Sequence, residues 1–161
     1  MKIREILSET DLDRIHQITK SSWSTIYSFR QNIMSPEIFE TVYGDGASDK
    51  AFRVREWCQN NYDKTRVIEY EDTVVGFITW EYHSIDLIEL CNNAIDPLFQ
   101  RRGLGTALYE WFLEYSREND YKYAFVFTGL DIAHRPALER YKKMGFSAPI
   151  ETVRLYKDLN K

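Results

Sequence analysis

Cysteine, positive charge and long apolar runs are scarce in this sequence, and each scarcity excludes a class of protein. Two cysteines, Cys58 and Cys91, stand far apart among 161 residues, so we expect neither a disulfide framework nor a cysteine-based metal site. Lysine and arginine total 21 against 25 acidic residues, a net charge of −4, which disfavours a nucleic-acid partner. No apolar run approaches a membrane span, and the opening MKIREI lacks the apolar core of a signal peptide. We therefore expect a cytoplasmic protein with reduced thiols, no metal and no membrane partner.

The composition is otherwise that of an ordinary globular chain. Hydrophobic residues make up 43% and charged residues 29%, a balance that excludes disorder and collagen-like repeats. A chain of 161 residues is expected to form one domain. Aromatic residues are abundant at 15%, and we expect them both in the core and in the lining of a pocket.

The chain changes character near residue 66, from helical spacing to alternating strands and helices. Before that point, Thr10 is the expected N-cap of a first helix, Pro36 opens a second, and a loop at 44–49 precedes a third. After it, Glu71 and Asp72 are expected to form a hairpin turn. The expected strands are 3–7, 67–70, 73–82, 87–95, 123–128 and 152–159, and the later helices are 102–117 and 136–144. This mixed order predicts one α/β or α+β domain.

A basic, glycine-containing turn joins the strand at 87–95 to a strongly amphipathic helix. The strand ends near Pro97, and Gly103 and Gly105 lie at the start of the predicted helix, whose first N–H groups and partial positive charge favour an anion. Glycines allow the backbone to approach a phosphate closely, and Arg101 and Arg102 add positive charge. The junction therefore indicates a phosphate-binding turn, with a helix start that binds no ligand as the alternative.

Two common nucleotide-binding motifs fail at this turn. A dinucleotide fingerprint needs a third glycine where Leu108 stands. A P-loop needs a lysine followed by serine or threonine, whereas Thr106 and Ala107 follow Gly105. Neither nucleotide-binding class fits.

The residues around the turn resemble those of the GNAT superfamily of N-acetyltransferases. The run Gln100-Arg101-Arg102-Gly103-Leu104-Gly105 matches the family signature Q/R-x-x-G-x-G/A, and Ile95-Asp96-Pro97 stands where the family has a valine-x-proline strand end. A second block, residues 134–146, is similar to the family's N-x-x-A-x-x-x-Y-x-x-x-G-F helix, with His134 where asparagine is usual. The resemblance extends from about Val67 to the end of the sequence and is loose before that.

The resemblance implies an α/β (α+β) fold with a mixed, twisted central sheet, flanked by helices and splayed between its fourth and fifth strands. Acetyl-CoA, the acetyl-donating cosubstrate, is expected in that opening. Residues 1–161 are then one acetyltransferase domain, in which 1–65 form a helical part on the acceptor side and 66–161 form the acetyl-CoA-binding core. The sequence leaves open whether the protein forms a homodimer.

The resemblance also implies which residues hold the cosubstrate. Backbone N–H groups of the turn would hold the pyrophosphate, and the end of the fourth strand would offer backbone groups to the pantetheine arm and the acetyl carbonyl. His134 would face the pantetheine, although a histidine at a helix start can instead cap the turn. The residues expected to bind the cosubstrate are Asn93, Ala94, Ile95, Gln100, Arg101, Arg102, Gly103, Leu104, Gly105, Thr106 and His134.

Tyr141 is the catalytic acid that the resemblance implies. It would lie near the thioester sulfur and protonate the leaving thiolate, with packing of its ring beside Met144 and Phe146 as the alternative. A glutamate that one branch of the family carries twelve residues earlier is replaced here by Gly129.

The resemblance implies Glu89 as the general base, acting through a water molecule, because some family members use a carboxylate at this place. It lies on the fourth strand, and strict alternation places it on one face with Cys91, Asn93 and Ile95. A solvated strand carboxylate is the alternative for Glu89. The other candidate bases are Glu81 and Asp131.

The acceptor pocket is expected beside the first helices. Trp23, Tyr27 and Trp80 would line it, with core packing as the alternative for each, and Glu81 would attract a cationic amine. We therefore expect an N-acetyltransferase that acetylates a small-molecule amine or a peptide amine by direct attack in a ternary complex. The alternative is a non-catalytic acyl-CoA-binding or sensing domain of the same fold.

Overall fold

The computed structural model of the protein describes residues 1–159, which form one five-stranded sheet and five α-helices. The strands are β1 (Lys2–Arg4), β2 (Thr65–Tyr70), β3 (Thr73–Tyr82), β4 (Leu87–Ile95) and β5 (Tyr123–Val126). The helices are α1 (Glu9–Ile33), α2 (Pro36–Tyr43), α3 (Ala47–Asn60), α4 (Leu104–Glu118) and α5 (Arg135–Lys143), with short 3₁₀ turns at Tyr62–Lys64 and Pro97–Phe99. Within the described residues, no helix is long and apolar enough to span a membrane.

The strands follow chain order across the sheet, β1-β2-β3-β4-β5. All neighbours are antiparallel except β4 and β5, which are parallel. The β2–β3 hairpin turns at Glu71 and Asp72, as expected, and both have positive φ, 50° and 57°. Two such residues in succession produce a tight turn whose twist suits paired strands.

Helices cover both faces of the sheet. On one face, here called the α1/α3 face, Leu12 and Ile15 of α1 and Val54 of α3 pack against Phe77. On the other, the α4/α5 face, Phe112 of α4 and Tyr141 of α5 belong to the core that covers the opposite side of the strands. The sheet therefore separates the helical segment before β2 from the two helices that follow β4.

A β-bulge interrupts β4 opposite Thr79. Leu90 pairs with Trp80 and Asn93 with Ile78, so two residues, 91 and 92, lie opposite Thr79 alone. The Thr79 hydroxyl satisfies the displaced backbone: it accepts from the Asn92 N–H at 2.9 Å and donates to the Asn92 carbonyl at 3.2 Å.

The bulge reverses the alternation of side chains along β4. Glu89 pairs directly with Glu81 on the α1/α3 face, and Asn92 bonds to Lys50 of α3 on that same face. Asn93, in contrast, bonds to Tyr141 of α5 on the α4/α5 face. The expectation that Glu89 and Asn93 share a face is therefore wrong, because strict alternation does not hold across an inserted residue.

The pairing of β4 with β5 covers only half of β4. It extends from Leu87 with Tyr123 to Leu90 with Val126, and the residues of β4 beyond the bulge have no pairing to β5 among the described residues. The two strands thus separate from the bulge onward. This is the expected opening between the fourth and fifth strands.

The expected strand at 152–159 is wrong. Residues 152–158 have no strand or helix, Asp158 apart they are exposed, and Val153 and Leu155 are 81% and 86% exposed. An alternating apolar pattern forms a strand only where a partner edge is available, and none pairs with this segment in the described part of the chain. Other boundaries differ slightly, since β5 ends at Val126 and α4 begins at Leu104.

Candidate active site

The N-terminus of α4 is an uncapped helix end beside the opening in the sheet. Gly103 is the N-cap residue with φ of 80°, a left-handed conformation that favours glycine, and no side chain caps the helix. Within residues 1–159, the N–H groups of Leu104, Gly105 and Thr106 find no hydrogen-bond acceptor. A Cβ built on Gly103 would meet nothing within 4 Å. The helix end is therefore open to an anion from outside the chain.

Arg140 of α5 adds a cation at this helix end. Its Nη1 donates to the Thr106 Oγ1 at 3.1 Å, beside Gly105. A guanidinium next to the positive end of a helix is unfavourable unless an anion lies between them. The arrangement thus fits a phosphate group. In the sequence, the only signal for Arg140 is its position directly before Tyr141, on the helix that faces this turn.

The other residues of the turn have distinct structural roles. The Gln100 Nε2 donates to the Ile95 carbonyl at 3.1 Å, which ties the turn to the end of β4. Arg102 lies over the rings of Tyr70 and Phe99, at 5.9 and 5.3 Å from their centroids. The Leu104 side chain is buried in the core, so it presents only its backbone. Arg101 is exposed.

Tyr109, Asn93 and Tyr141 form a buried hydrogen-bonded network where β4 leaves β5. The Tyr109 hydroxyl donates to the Asn93 Oδ1 at 2.6 Å, and the Asn93 Nδ2 donates to the Tyr141 Oη at 3.0 Å. The Tyr141 hydroxyl has the Asn93 Oδ1, at 3.3 Å, as a weaker acceptor. The Asn93 Oδ1 can accept from both phenols, but its contact with Tyr141 is 0.7 Å longer than its bond from Tyr109, so the amide holds the Tyr141 proton only weakly.

Burial stabilises the protonated phenol of Tyr141. Its side chain is 6% exposed, and burial raises the pKa of its phenol above the ordinary value near 10, while hydrogen bonds with Asn93 and Tyr109 offset part of that rise. Tyr141 therefore stays protonated to a higher pH than an exposed tyrosine.

His134 is paired within its own turn. Its Nδ1 lies 2.7 Å from the Asp131 Oδ2, and the Asp131 Oδ1 accepts from the Ala133 and His134 backbone N–H groups. Burial acts to raise the pKa of Asp131, but the interactions with the His134 ring and the backbone hydrogen bonds from His134 and Ala133 together outweigh it and hold that pKa below its usual value. A Cβ built on Gly129 would lie 2.5 Å from the His134 Nδ1. Glycine at this position accommodates the histidine.

Glu89 and Glu81 lie side by side on the α1/α3 face, and each has a partner. The Glu89 Oε2 lies 2.6 Å from the His83 Nε2. The Glu81 Oε2 lies 3.3 Å from the Lys64 Nζ. His83 was not singled out in the sequence, because its pairing with Glu89 depends on the β3–β4 hairpin register.

The residues expected to line the acceptor pocket do not all meet. Trp80 is fully buried between Trp111 and Tyr115 of α4, so it packs the core and lines no open surface; that expectation is wrong. Trp23 and Tyr27 lie one turn apart on α1, away from Trp80, with Lys50 5.4 Å from the centroid of the Trp23 ring.

A large cavity lies beside Tyr141, beyond the outer edge of β5. Its volume is about 930 Å³. It is bordered by the end of α1 with Arg30, by Tyr43 of α2, by the segment after β5 and by residues 146–156. The cavity therefore connects the buried phenol with the helical segment that precedes β2. No group of residues suited to hold a metal ion is found within residues 1–159.

Comparison with known proteins defines the family. The profile of the acetyltransferase (GNAT) family matches residues 23–146, well over half of the chain. The chain belongs to the GNAT family of acetyltransferases. A comparison with curated proteins gives no significant match.

Solved structures share the fold at low sequence identity. Ard1 from Thermoplasma volcanium has a TM-score of 0.68 at 22% identity, over 92% of this chain and 84% of that one. A PaiA N-acetyltransferase from Thermoplasma acidophilum, in complex with coenzyme A, has a TM-score of 0.67 at 20% identity, over 92% of both chains. Rv2747 from Mycobacterium tuberculosis, in complex with CoA, has a TM-score of 0.63 at 18% identity, over 97% of this chain and 76% of that one. These likenesses confirm the expected mixed sheet flanked by helices.

Proposed function

We propose that the protein transfers the acetyl group of acetyl-CoA to a primary amine by direct attack in a ternary complex. The observation that carries the proposal is the position of two features at one end of β4. The uncapped N-terminus of α4 lies beside Arg140, and the buried hydroxyl of Tyr141, the next residue of α5, bonds to Asn93. An anion-binding turn and a protonated acid on the same side of the opening suit a phosphate-bearing thioester. Family membership and the two CoA-bound relatives support this assignment.

In this proposal, residues 66–161 hold acetyl-CoA. The backbone N–H groups of residues 101–106 and the Arg140 guanidinium bind the pyrophosphate. Backbone groups of Asn93, Ala94 and Ile95 face the pantetheine arm and polarise the acetyl carbonyl, as N–H donors do for a developing oxyanion. His134, oriented by Asp131, offers its Nε2 to the pantetheine. Acetyl-CoA supplies the thioester; the chain supplies the charge and the orientation.

Tyr141 is the proposed general acid. As the acetyl group leaves, its phenol proton passes to the departing thiolate. The Asn93 Nδ2 donates to the Tyr141 oxygen, and that bond directs the phenol proton away from the amide. The same bond stabilises the phenolate that remains after the transfer.

Glu89 is the proposed general base, acting on the amine through water. Its carboxylate is paired with His83 at 2.6 Å, and its side chain is 22% exposed. Glu89 could therefore pass a proton to the His83 ring or to solvent. The acceptor would approach from the side of residues 1–65, past Trp23 and Tyr27. Ser22 and Arg14 of α1 contact Ile95 and Asp96 at the end of β4, which fixes that helical part against the opening.

The test is a screen of the purified protein with acetyl-CoA and a panel of amines, reading thiol release and the mass of the acetylated product. We expect turnover with at least one amine and retention of acetyl-CoA binding in Tyr141→Phe. Calorimetric binding of acetyl-CoA without turnover on any amine would support the acyl-CoA-binding or sensing alternative. Absence of acetyl-CoA binding in a folded protein would overturn both.

A further inference from the structure

The cavity beside Tyr141 is bordered by the guanidinium of Arg30, which has no hydrogen-bond acceptor among residues 1–159. Arg30 stacks over Tyr27 and Tyr43, with its Cζ 5.3 and 4.9 Å from their ring centroids. The rings hold the guanidinium in place, yet within residues 1–159 its side-chain N–H groups have no hydrogen-bond acceptor and no carboxylate within 4.0 Å. Five fixed N–H donors without an acceptor, at the border of a cavity, suit a planar anion.

A second cation, Lys50 of α3, lies beside Trp23 of α1 and forms no ion pair with a carboxylate among residues 1–159. The Lys50 Nζ donates to the neutral Asn92 Oδ1 at 2.6 Å, beside the Trp23 ring. Trp23, Tyr27 and Arg30 follow helical spacing on α1, so the stripe that they form extends from the β4 bulge to the cavity. Burial, with Arg53 and Arg30 nearby, lowers the pKa of Lys50. A bound anion would offset that effect.

Neither of the two paired glutamates on β3 and β4 forms an ion pair with Lys50 or Arg30. Glu81 is paired with Lys64 and Glu89 with His83. The cavity border also carries two carboxylates, Asp131, which pairs with His134, and Glu151, and neither forms an ion pair with Arg30 among the described residues. This arrangement does not favour the expectation that Glu81 attracts a purely cationic amine.

We infer that the acceptor amine also carries a carboxylate, which Arg30 and Lys50 bind as the acceptor enters from the side of α1. This inference rests on the proposed function and names its substrate class, an amino acid or another amine with a free carboxylate. An Arg fork can bind a carboxylate with two hydrogen bonds, and Lys50 adds a single charged donor. Tyr141 borders the same cavity as Arg30, so the amine of an acceptor bound through its carboxylate would then point toward Tyr141.

The test uses pairs of acceptors that differ by one carboxylate. L-phenylalanine is compared with 2-phenylethylamine and with L-phenylalaninamide, and L-lysine with 1,5-diaminopentane. The measured quantity is the ratio of kcat/KM within each pair, for the wild type, Arg30→Gln and Lys50→Met. Lys122→Met, which removes an exposed cation paired with Asp86, is the matched control. Melting temperature and acetyl-CoA affinity confirm that each variant is folded.

We expect the wild type to prefer the carboxylate-bearing member of at least one pair. That preference should fall about 10- to 100-fold in Arg30→Gln, Lys50→Met or both, as for loss of a charge-assisted hydrogen bond. Arg30→Lys and Lys50→Arg should restore part of it, and Lys122→Met should leave it unchanged. Turnover with equal ratios in the wild type and both variants would overturn this inference and leave the proposed function standing. Acetyl-CoA binding without turnover on either member of any pair would overturn the proposed function and this inference with it.

Discussion

Asn93 donates a hydrogen bond from its Nδ2 to the Tyr141 Oη at 3.0 Å, while its Oδ1 accepts from Tyr109 at 2.6 Å. One amide thus holds two phenols: it accepts a hydrogen bond from the Tyr109 hydroxyl and donates one to the Tyr141 oxygen. Both phenols are buried, and burial raises the pKa of each. The orientation of Asn93 therefore decides where the Tyr141 proton can go.

Tyr141→Phe should lower kcat by about 10- to 100-fold, the low end for a general acid, because a thiol of pKa near 8.5 leaves fairly well unaided. Acetyl-CoA affinity should stay within about twofold, since the ring and its packing remain. Calorimetry and steady-state thiol release at saturating acceptor measure the two quantities.

The pH profile provides a second reading of the same variant. Because burial raises the pKa of Tyr141, its alkaline loss of activity should occur above pH 10 in the wild type and be absent from Tyr141→Phe. A role limited to packing predicts instead a change in melting temperature with unaltered kcat and an unaltered profile.

Tyr109→Phe should lower kcat several-fold although Tyr109 is not proposed to touch the thioester. Without it, the Asn93 Oδ1 loses its donor and becomes the better acceptor for the Tyr141 proton, which then points inward. The single and double variants of Tyr109 and Tyr141 to phenylalanine form a cycle. We expect the kcat losses to be clearly less than additive, whereas additive losses would show that the two hydroxyls act independently.

Gly105→Glu should abolish acetyl-CoA binding and leave the protein folded. Gly105 has no positive φ, and its Cβ would meet the Ile95 Cγ1 at an ordinary 3.6 Å, so the fold tolerates a side chain there while the added carboxylate repels the phosphate. Gly105→Ala is the matched control and should bind with a smaller loss. Gly103→Glu should also lose binding, with an added strain of about 1 kcal/mol from its φ of 80°. Near-native affinity in folded Gly105→Glu would remove the pyrophosphate from this turn.

Arg140→Gln should weaken acetyl-CoA binding by about 3- to 10-fold, a modest loss because the side chain is exposed to screening by solvent. The affinity of the variant should also depend less on salt concentration than that of the wild type. Arg117→Gln, at the opposite end of α4, is the control for the change in net charge. An unchanged affinity and salt dependence would show that Arg140 serves only to join α5 to Thr106.

Sequence reasoning predicted the features that depend on local signals. The hairpin at Glu71 and Asp72 follows from its turn residues, and the presence of α4 follows from its amphipathic spacing. The opening after β4 follows from the family resemblance of the glycine-containing turn. Sequence reasoning failed where strand pairing between distant residues determines which face a side chain occupies. The bulge opposite Thr79 leaves no trace in the run LIELCNNAI, because apolar residues flank it on both sides.

The partners found only in the structure are charged residues that look solvated in the sequence. Arg140 and His83 lie among other polar residues, and their contacts with Thr106 and Glu89 depend on packing across the sheet. Trp80 shows the converse, since an aromatic residue on a predicted strand cannot be assigned to core or pocket until the covering helix is known.

The β4 bulge also separates the carboxylate of Glu89 from the hydrogen-bonded network of Asn93 and Tyr141. Glu89 faces one side of the sheet and Asn93 the other, and no side-chain hydrogen bond between residues 1 and 159 joins Glu89 to Asn93 or Tyr141. A proton on the Glu89 carboxylate therefore has no path of side-chain hydrogen bonds to the Tyr141 phenol. Each group must exchange protons with solvent by its own route, so solvent access to the two faces of the sheet would govern the two proposed proton transfers separately.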